Sequence, residues 1–414
     1  MRGVTIVPGA VALMLAAAVP AFEPAPTFQA SKILPADLLK GPHHTVSEAV
    51  TAEGVYQVFE IVSDFGNIEA EGRTVLRTRV YEVDALARLS EVSKGEIFAK
   101  AAGGAVLGVG KGVVSVVKDP EGTAKGIGGG IKRFGVNLGR KAKRTADSVT
   151  KDDKKADDHD ESSRDKALDT AGGAANSVLG VNGAARRWAQ KLGVDPYTTN
   201  PVLHKALVDV GKIDTAASIA TKIVLPVPVL VSGTATVGGL VWSKDPEELR
   251  KINEARLAEL GVSKAGASRY LVNGNYTLTM QTRLIAALHE VKVKGCADYI
   301  DSAADADDER EALFFVESAE MLAGMNKTEP VSTLITDSRG VVAKTGTRAV
   351  ALLPVDWVRW TEEIQRVTTE FAERARRELG ATALEMRITG TATVAAKAGL
   401  RSEGWTVKDH VPTT

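Results

Sequence analysis

Cysteine, aromatic residues and net charge are all scarce in this chain. A single cysteine, Cys296, stands among 414 residues, so an internal disulfide and a metal site built from several thiolates are both excluded. Aromatic residues make up 5% of the chain, which argues against a surface that stacks nucleic-acid bases. Because 52 Lys and Arg residues balance 52 Asp and Glu residues, the chain as a whole is not a polyanion binder. We therefore expect no nucleic-acid partner.

Several catalytic motifs are absent as well. The chain has no Gly-x-Ser-x-Gly nucleophile elbow and no Gly-x-x-x-x-Gly-Lys-[Ser/Thr] phosphate loop. The glycines at 126–130 follow no predicted strand, which argues against a dinucleotide site. The six histidines form no His-x-x-x-His or His-Glu-x-x-His pair; they are His43, His44, His159, His204, His289 and His410. The sequence therefore assigns no catalytic, cofactor-binding or metal-ligating residue, and it favours a non-catalytic protein.

Two further segments could hold a metal ion, and each has a simpler interpretation. His43 and His44 follow Gly41-Pro42 and are predicted to lie in an exposed turn. The acidic run 305–311 is similar to a calcium loop, but Arg310 stands at the sixth position, where such loops have glycine, and Val316 at the last, where they have glutamate. Acidic residues in the first turn of a helix complement its dipole, so we expect a helix N-terminus here.

The first residues of the chain have the pattern of a secretory signal peptide. Arg2 precedes an uncharged, mostly apolar run to Phe22, and Val19-Pro-Ala21 places small residues at a cleavage site. An uncleaved anchor helix is the alternative, because 20 uncharged residues are long enough to span a bilayer. We expect residues 1–21 to be removed, residues 22–42 to form a flexible mature N-terminus, and the protein to be periplasmic or envelope-associated.

Glycine and lysine are concentrated at 101–144. Between 101 and 140, 12 of 40 residues are glycine, many spaced by four, and lysines recur every seven residues from Lys111 to Lys132. Small residues at this spacing favour close helix packing, and nine basic residues against two acidic ones favour an anionic membrane surface. A soluble helical hairpin and an irregular loop remain alternatives. The mixed-charge stretch 145–170 that follows is predicted to be a linker.

The remaining chain predicts an α+β protein with small antiparallel β-sheets and packed amphipathic helices around a Gly-rich helical or irregular central segment. The N-terminal α+β unit is 43–100, with a hairpin turn at Asp64-Phe-Gly-Asn67 and a helix after it. A helical region covers 171–262, with Asp245 as one N-cap, and contains the apolar run 223–243, for which a buried strand pair is favoured over a membrane span. The C-terminal α+β domain is 263–414, with helices at 277–293, 305–325 and 356–379 and strands near 331–336, 340–345, 348–353 and 384–389.

Four residues at one junction of that domain are capable of chemistry: Asp356, Trp357, Arg359 and Trp360. They lie between a predicted strand and the predicted helix 356–379. An aromatic core with a helix N-cap has the same pattern, and we take that as the default interpretation.

One weak catalytic pattern remains. Ser115-Val-Val-Lys118 has the spacing of a catalytic Ser-x-x-Lys, and Lys344-Thr-Gly-Thr347 matches a Lys-Thr-Gly strand motif. Together they resemble the penicillin-binding protein and serine β-lactamase superfamily, which implies a serine hydrolase acting on the cell wall. The superfamily's middle Ser-x-Asn element has no match in this chain.

The sequence thus favours an exported cell-envelope protein whose Gly/Lys segment mediates helix packing or membrane-surface contact. Its expected partners are an anionic membrane surface or another envelope protein, and the sequence does not indicate an oligomeric state. Two alternatives are a periplasmic serine hydrolase and a small-ligand binding module. The binding module would be marked by a deep pocket with converging polar groups in the C-terminal unit.

Overall fold

The computed structural model describes residues 21–92, 181, 183–212 and 235–413. Residues 1–20 of the predicted signal peptide, the Gly/Lys segment 101–144 and the predicted linker 145–170 lie outside these ranges. Most of the apolar run 223–243 lies outside them too. The α+β class predicted from the sequence is confirmed.

The N-terminal unit is an antiparallel sheet covered by one long helix. Strand β4 pairs with β2 and β3 along one edge and with β5 along the other, and β1 extends the sheet beyond β3. The predicted hairpin is confirmed, because β4 and β5 are joined by Asp64-Phe65. The elements are β1 Phe28–Gln29, α1 Ala30–Ile33, α2 Ala36–Leu39, β2 His44–Val46, β3 Ala49–Glu53, β4 Tyr56–Ser63, β5 Gly66–Glu71 and α3 Arg73–Val92.

Residues 22–42, predicted to be flexible, contain β1, α1 and α2 and are hydrogen-bonded to other parts of the chain. The Glu23 carboxylate accepts a hydrogen bond from the Trp360 backbone N–H at 2.6 Å and one from the Thr393 hydroxyl at 2.6 Å. The Glu23 backbone N–H donates to the Trp360 carbonyl at 2.8 Å. Residue 23 is therefore attached to the C-terminal unit. Its partners lie more than 300 residues away in the sequence, so no local pattern could indicate this contact.

In the ranges 183–212 and 235–262 the chain forms four helices. These are α4 Gly183–Leu192, α5 Pro201–Lys212, α6 Ala235–Ser243 and α7 Pro246–Glu259. Helix α7 begins as expected, because the Asp245 side chain accepts from the Glu248 N–H at 2.8 Å. Gly261, just after the helix, has a φ of +79° that favours glycine.

The strand prediction is wrong for residues 235–243, which form α6. Val237 and Val241, four residues apart, are both buried on one face, and the Trp242 indole N–H donates to the Val194 carbonyl at 3.1 Å. A short apolar run is compatible with a strand or a buried helix, and here a neighbouring helical surface was available to cover one face. In the described ranges, no helix combines the length and apolarity needed to cross a bilayer.

The C-terminal unit combines six helices with a five-stranded sheet in the order β12-β10-β8-β7-β6. Strands β6, β7 and β8 form an antiparallel meander, whereas β8, β10 and β12 are parallel, because α12 and α13 return the chain to the same end of the sheet. The elements are α8 Lys264–Leu271, α9 Leu278–Val291, α10 Cys296–Ala303, α11 Glu309–Asn326, β6 Thr333–Asp337, β7 Gly340–Thr345, β8 Arg348–Leu353, β9 Trp357–Val358, α12 Glu362–Leu379, β10 Ala383–Ile388, β11 Thr391–Ala392, α13 Val394–Ser402 and β12 Trp405–Lys408.

Both faces of the C-terminal sheet are covered. Val350 and Leu352 of β8 point into a core shared with α9 and α11, while Ala349 and Ala351 point into a core shared with α12 and α13. The period of two in a strand sends alternate side chains to opposite faces, so a sheet covered on both sides needs a nearly continuous apolar sequence. The cleft described next lies between the second face and α12.

A candidate ligand-binding cleft

A cleft of about 370 Å³ opens where the N-terminal unit meets the C-terminal sheet. The turn between β3 and β4, the first turns of α11, the turn between β6 and β7, and helix α12 all contribute to it. Four regions far apart in sequence thus form its walls, and this volume lies within the usual range for sites that bind small molecules.

The interior of the cleft is mainly apolar. Its floor is the β8 and β10 surface with Ala351, Leu353 and Met386, and one wall is the inward face of α12. That wall consists of Ile364, Val367 and Phe371, which lie at helical spacing on one face of α12. Tyr56 and Phe314 contribute aromatic rings from the N-terminal unit and α11.

Charged residues also line the cleft. The acidic ones are Glu71, Asp308, Glu309, Glu311 and Glu363, and the basic ones are Arg310, Arg339 and Arg359, so five negative charges face three positive ones and the formal net charge is −2. The distribution of hydrogen-bond partners among these groups decides which of them are available to a ligand.

The three arginines already have acceptors within the protein. Arg310 donates to the Glu317 carboxylate at 2.5 Å. Arg339 donates to Asp337 at 2.7 Å and also binds Glu370. Arg359 donates to the backbone carbonyl of Glu23 at 3.2 Å. Guanidinium groups held in this way shape the cleft, and two of the three are neutralised by carboxylates.

Glu71 differs from these groups because nothing in the described part of the chain donates a hydrogen bond or an ion pair to its carboxyl. Burial raises its pKa to about 7, and the charges of Asp308, Glu53 and Glu69 act in the same direction, while Arg310 acts against them. A half-buried carboxyl without a partner that titrates near neutral pH is a frequent feature of functional sites.

The Arg310 guanidinium is buried against an aromatic ring, and one of its nitrogens has no acceptor within the described ranges. Its guanidinium carbon lies 4.4 Å from the centre of the Tyr56 ring, and the side chain is only 6% exposed. Its Nε has no acceptor among the atoms that the structure describes. Arg310 and Glu71 both line the cleft, and the Arg310 charge lowers the pKa of Glu71, so the two side chains lie at the same end of the cleft.

The junction around Asp356 positions one wall of the cleft. The Asp356 carboxylate accepts hydrogen bonds from the backbone N–H of Gln57 at 3.0 Å and of Arg73 at 3.1 Å, and its own N–H donates to the Val55 carbonyl at 3.1 Å. Asp356 therefore fixes the start of β4, next to Tyr56, and caps the first turn of α3.

The boundary predicted for this region is wrong. Trp357–Val358 is strand β9 and Trp360 is buried before the helix, which begins only at Glu362 with Thr361 as its N-cap. The predicted helix 356–379 is thus shorter by six residues. Thr361 is the N-cap of this helix, whereas the Asp356 carboxylate accepts from the first backbone N–H of α3 in the other unit.

The histidine prediction is partly wrong. His43 Nδ1 lies 2.8 Å from Asp64 at the surface, but His44 is buried on β2, with Nε2 3.2 Å from the Leu38 carbonyl. Alternation along β2 turns His44 into the sheet's covered face, which a turn prediction could not capture. No cluster of three or more metal-ligating side chains occurs in the part of the chain that the structure describes.

The acidic run at 305–311 begins a helix, as expected. Asp308 is the N-cap of α11 and accepts from the Glu311 N–H at 2.8 Å. Lys344 of the superfamily resemblance lies on β7, outside the cleft lining, whereas Ser115 and Lys118 lie outside the described ranges.

Comparison of the chain with protein-family models, with curated proteins and with solved structures finds no match. The cleft residues are therefore interpreted from their chemistry alone. Sequence reasoning missed Tyr56, Glu71, Arg310 and Phe314, because they come from separate elements and no motif joins them. Arg310 carried the one available signal, since it interrupts an acidic run.

Proposed function

We propose that the protein binds a small, mainly apolar ligand in the cleft between the N-terminal unit and helix α12. The observation that carries this proposal is the cleft itself, whose mainly apolar interior includes Leu353, Val367 and Phe371 and whose lining also contains charged residues. Apolar surface that the fold leaves uncovered gains free energy when a ligand removes it from water. Among the functions that the sequence left open, this corresponds to the small-ligand binding module.

The walls of the cleft are held in place before any ligand arrives. Buried hydrogen bonds of Asp356 fix one side, and the Arg310–Glu317 ion pair, whose members are 6% and 3% exposed, fixes another. A site that is organised in advance loses little conformational entropy on binding. This supports binding of a ligand with defined shape over a surface that adapts to many partners.

Filling the cleft should abolish binding. Val367→Trp places an indole against the floor of the cleft. We expect it to raise the dissociation constant of N-phenyl-1-naphthylamine, a neutral apolar dye, by at least about tenfold in a fluorescence titration. Thr369→Trp is the matched control, because Thr369 lies on the exposed face of α12. Equal dye binding by wild type and Val367→Trp, or no saturable binding by wild type, would contradict the proposal.

Export and membrane contact, expected from residues 1–21 and 101–144, remain predictions of their own. They concern residues that the structure does not describe, and ligand binding in the cleft depends on neither. An exported protein with an apolar ligand would meet that ligand in the envelope, where apolar and amphipathic molecules are concentrated.

A further inference from the structure

The polar end of the cleft selects among apolar ligands. The three arginines are engaged, as described above, whereas the Glu71 carboxyl has no donor in the described ranges. An available carboxyl at the end of an apolar cleft is suited to a ligand group that donates hydrogen bonds and carries positive charge.

The charges around Glu71 favour the same group. Asp308, Glu53 and Glu69 are the acidic neighbours that hinder its ionisation, and Arg310, which would favour it, is bound to Glu317. A cation placed here would be attracted by several carboxylates at once, and an anion would be repelled by them.

Arg310 provides a second observation that does not depend on charge. Its side chain is more than nine-tenths buried and lines the cleft, yet Nε lacks an acceptor within the described structure. Nε itself has no accessible surface, so a ligand oxygen can reach this guanidinium only at Nη1, which also has no acceptor in the described ranges because Nη2 donates to Glu317.

We propose that the ligand is a long-chain amine with a neighbouring hydroxyl or carbonyl oxygen, whose ammonium binds the Glu71 carboxylate while its oxygen accepts from Arg310 and its chain fills the apolar cleft. This inference rests on the proposed function and specifies the ligand class for the same site. At about 30 Å³ for each water-sized unit, 370 Å³ holds roughly a dozen non-hydrogen atoms, so a ten-carbon chain is a suitable probe.

Three probes of equal chain length test the proposal: 2-amino-1-decanol, 1-decanol and decanoic acid, each used below its critical micelle concentration to displace N-phenyl-1-naphthylamine at pH 8. Wild type should bind the amino alcohol at least about tenfold more tightly than 1-decanol, as expected for one charge-assisted hydrogen bond. Decanoic acid should bind most weakly. The preference for the amino alcohol should decrease at pH 6, where Glu71 is protonated.

Glu71→Gln keeps the shape of the side chain and removes its charge, so it should reduce the advantage of the amino alcohol over 1-decanol to less than about threefold. Glu69→Gln, an exposed neighbour on the same strand outside the cleft lining, is the control and should keep most of the preference.

The two proposals fail in different ways. If the dye binds in the cleft but wild type does not prefer the amino alcohol, or Glu71→Gln retains the preference, the amine proposal is overturned and the proposed function stands. If dye binding is absent or insensitive to Val367→Trp, both proposals fail.

Discussion

Glu71 is the residue on which the chemistry of the cleft depends. Its carboxyl is half-buried, has no partner in the described structure and lies among other acidic groups, so its ionisation costs free energy in the folded state. A natural chain tolerates such a cost where the group has a role, and the same cost makes the role measurable in the absence of a ligand.

Stability should depend on pH through Glu71. The pKa of about 7 in the folded state lies above the ordinary value of 4.5, so the folded state holds a proton between these values that the unfolded state releases. The resulting stabilisation is complete below pH 4.5 and is lost as the pH rises through 7. The free energy of unfolding of wild type should therefore fall between pH 5 and pH 8 by more than that of Glu71→Gln, as measured by urea unfolding at both pH values. The prediction fails if the difference between the two proteins is the same at both pH values, or if Glu69→Gln behaves identically.

At the scale of elements, α3 connects the N-terminal sheet to the helical region through a buried carboxylate. Glu82 is 1% exposed and accepts from Arg79 at 2.8 Å, from Asn200 at 3.1 Å and from the Thr198 hydroxyl. Arg79 in turn reaches Glu309 at 3.4 Å, at the start of α11 beside the cleft. The network thus links three elements that a strand or helix pattern treats as independent.

Removing the acceptor should loosen this connection. Glu82→Ala leaves the Arg79 charge without its main partner, and breaking a buried pair in this way costs about 3–5 kcal/mol. Denaturant unfolding measures the loss, and Glu91→Ala, at an exposed position of the same helix, should change stability by less than about 0.5 kcal/mol. A loss below about 1 kcal/mol for Glu82→Ala would show that the network contributes little.

Some elements of the fold follow from local sequence signals, and others depend on packing that the sequence does not reveal. Helix α7 was predictable because Asp245, Pro246 and Gly261 are local signals at both ends. The sequence of residues 235–243 favours a buried strand, because an apolar run alone does not reveal which surface will cover it. The cleft could not be predicted, since Tyr56 meets Arg310 and Phe314 only through long-range packing. Glu71 carries no sequence mark that separates it from Glu69 on the same strand.

For the whole molecule, zero net charge is a cancellation between blocks. Residues 101–144 have nine basic and two acidic residues, while 295–330 have two basic and ten acidic residues, so the blocks carry +7 and −8. The acidic block includes the start of α11 and lines part of the cleft. The basic block could bind an anionic membrane while the acidic block favours cationic ligands, which would assign the two blocks different partners.

Deleting residues 101–144 should separate these roles. In a Gram-negative host, we expect the exported chain to lose residues 1–21 and the full chain to sediment with membranes, whereas the deletion variant should remain in the soluble periplasmic fraction. Mass spectrometry of the N-terminus and fractionation at low and high salt measure both effects. Dye binding in the cleft should be unchanged by the deletion. A full chain that is wholly soluble and indifferent to the deletion would exclude membrane contact.

The most direct test of the central claim is methyl NMR of the full chain, labelled at Ile, Leu and Val, during titration with 2-amino-1-decanol. The account predicts saturable shifts concentrated at Leu353, Val355, Val358, Ile364 and Val367, which line the cleft. Shifts that are absent, or that concentrate on methyl groups outside the cleft lining, to which Val55 and Val341 also belong, would contradict it.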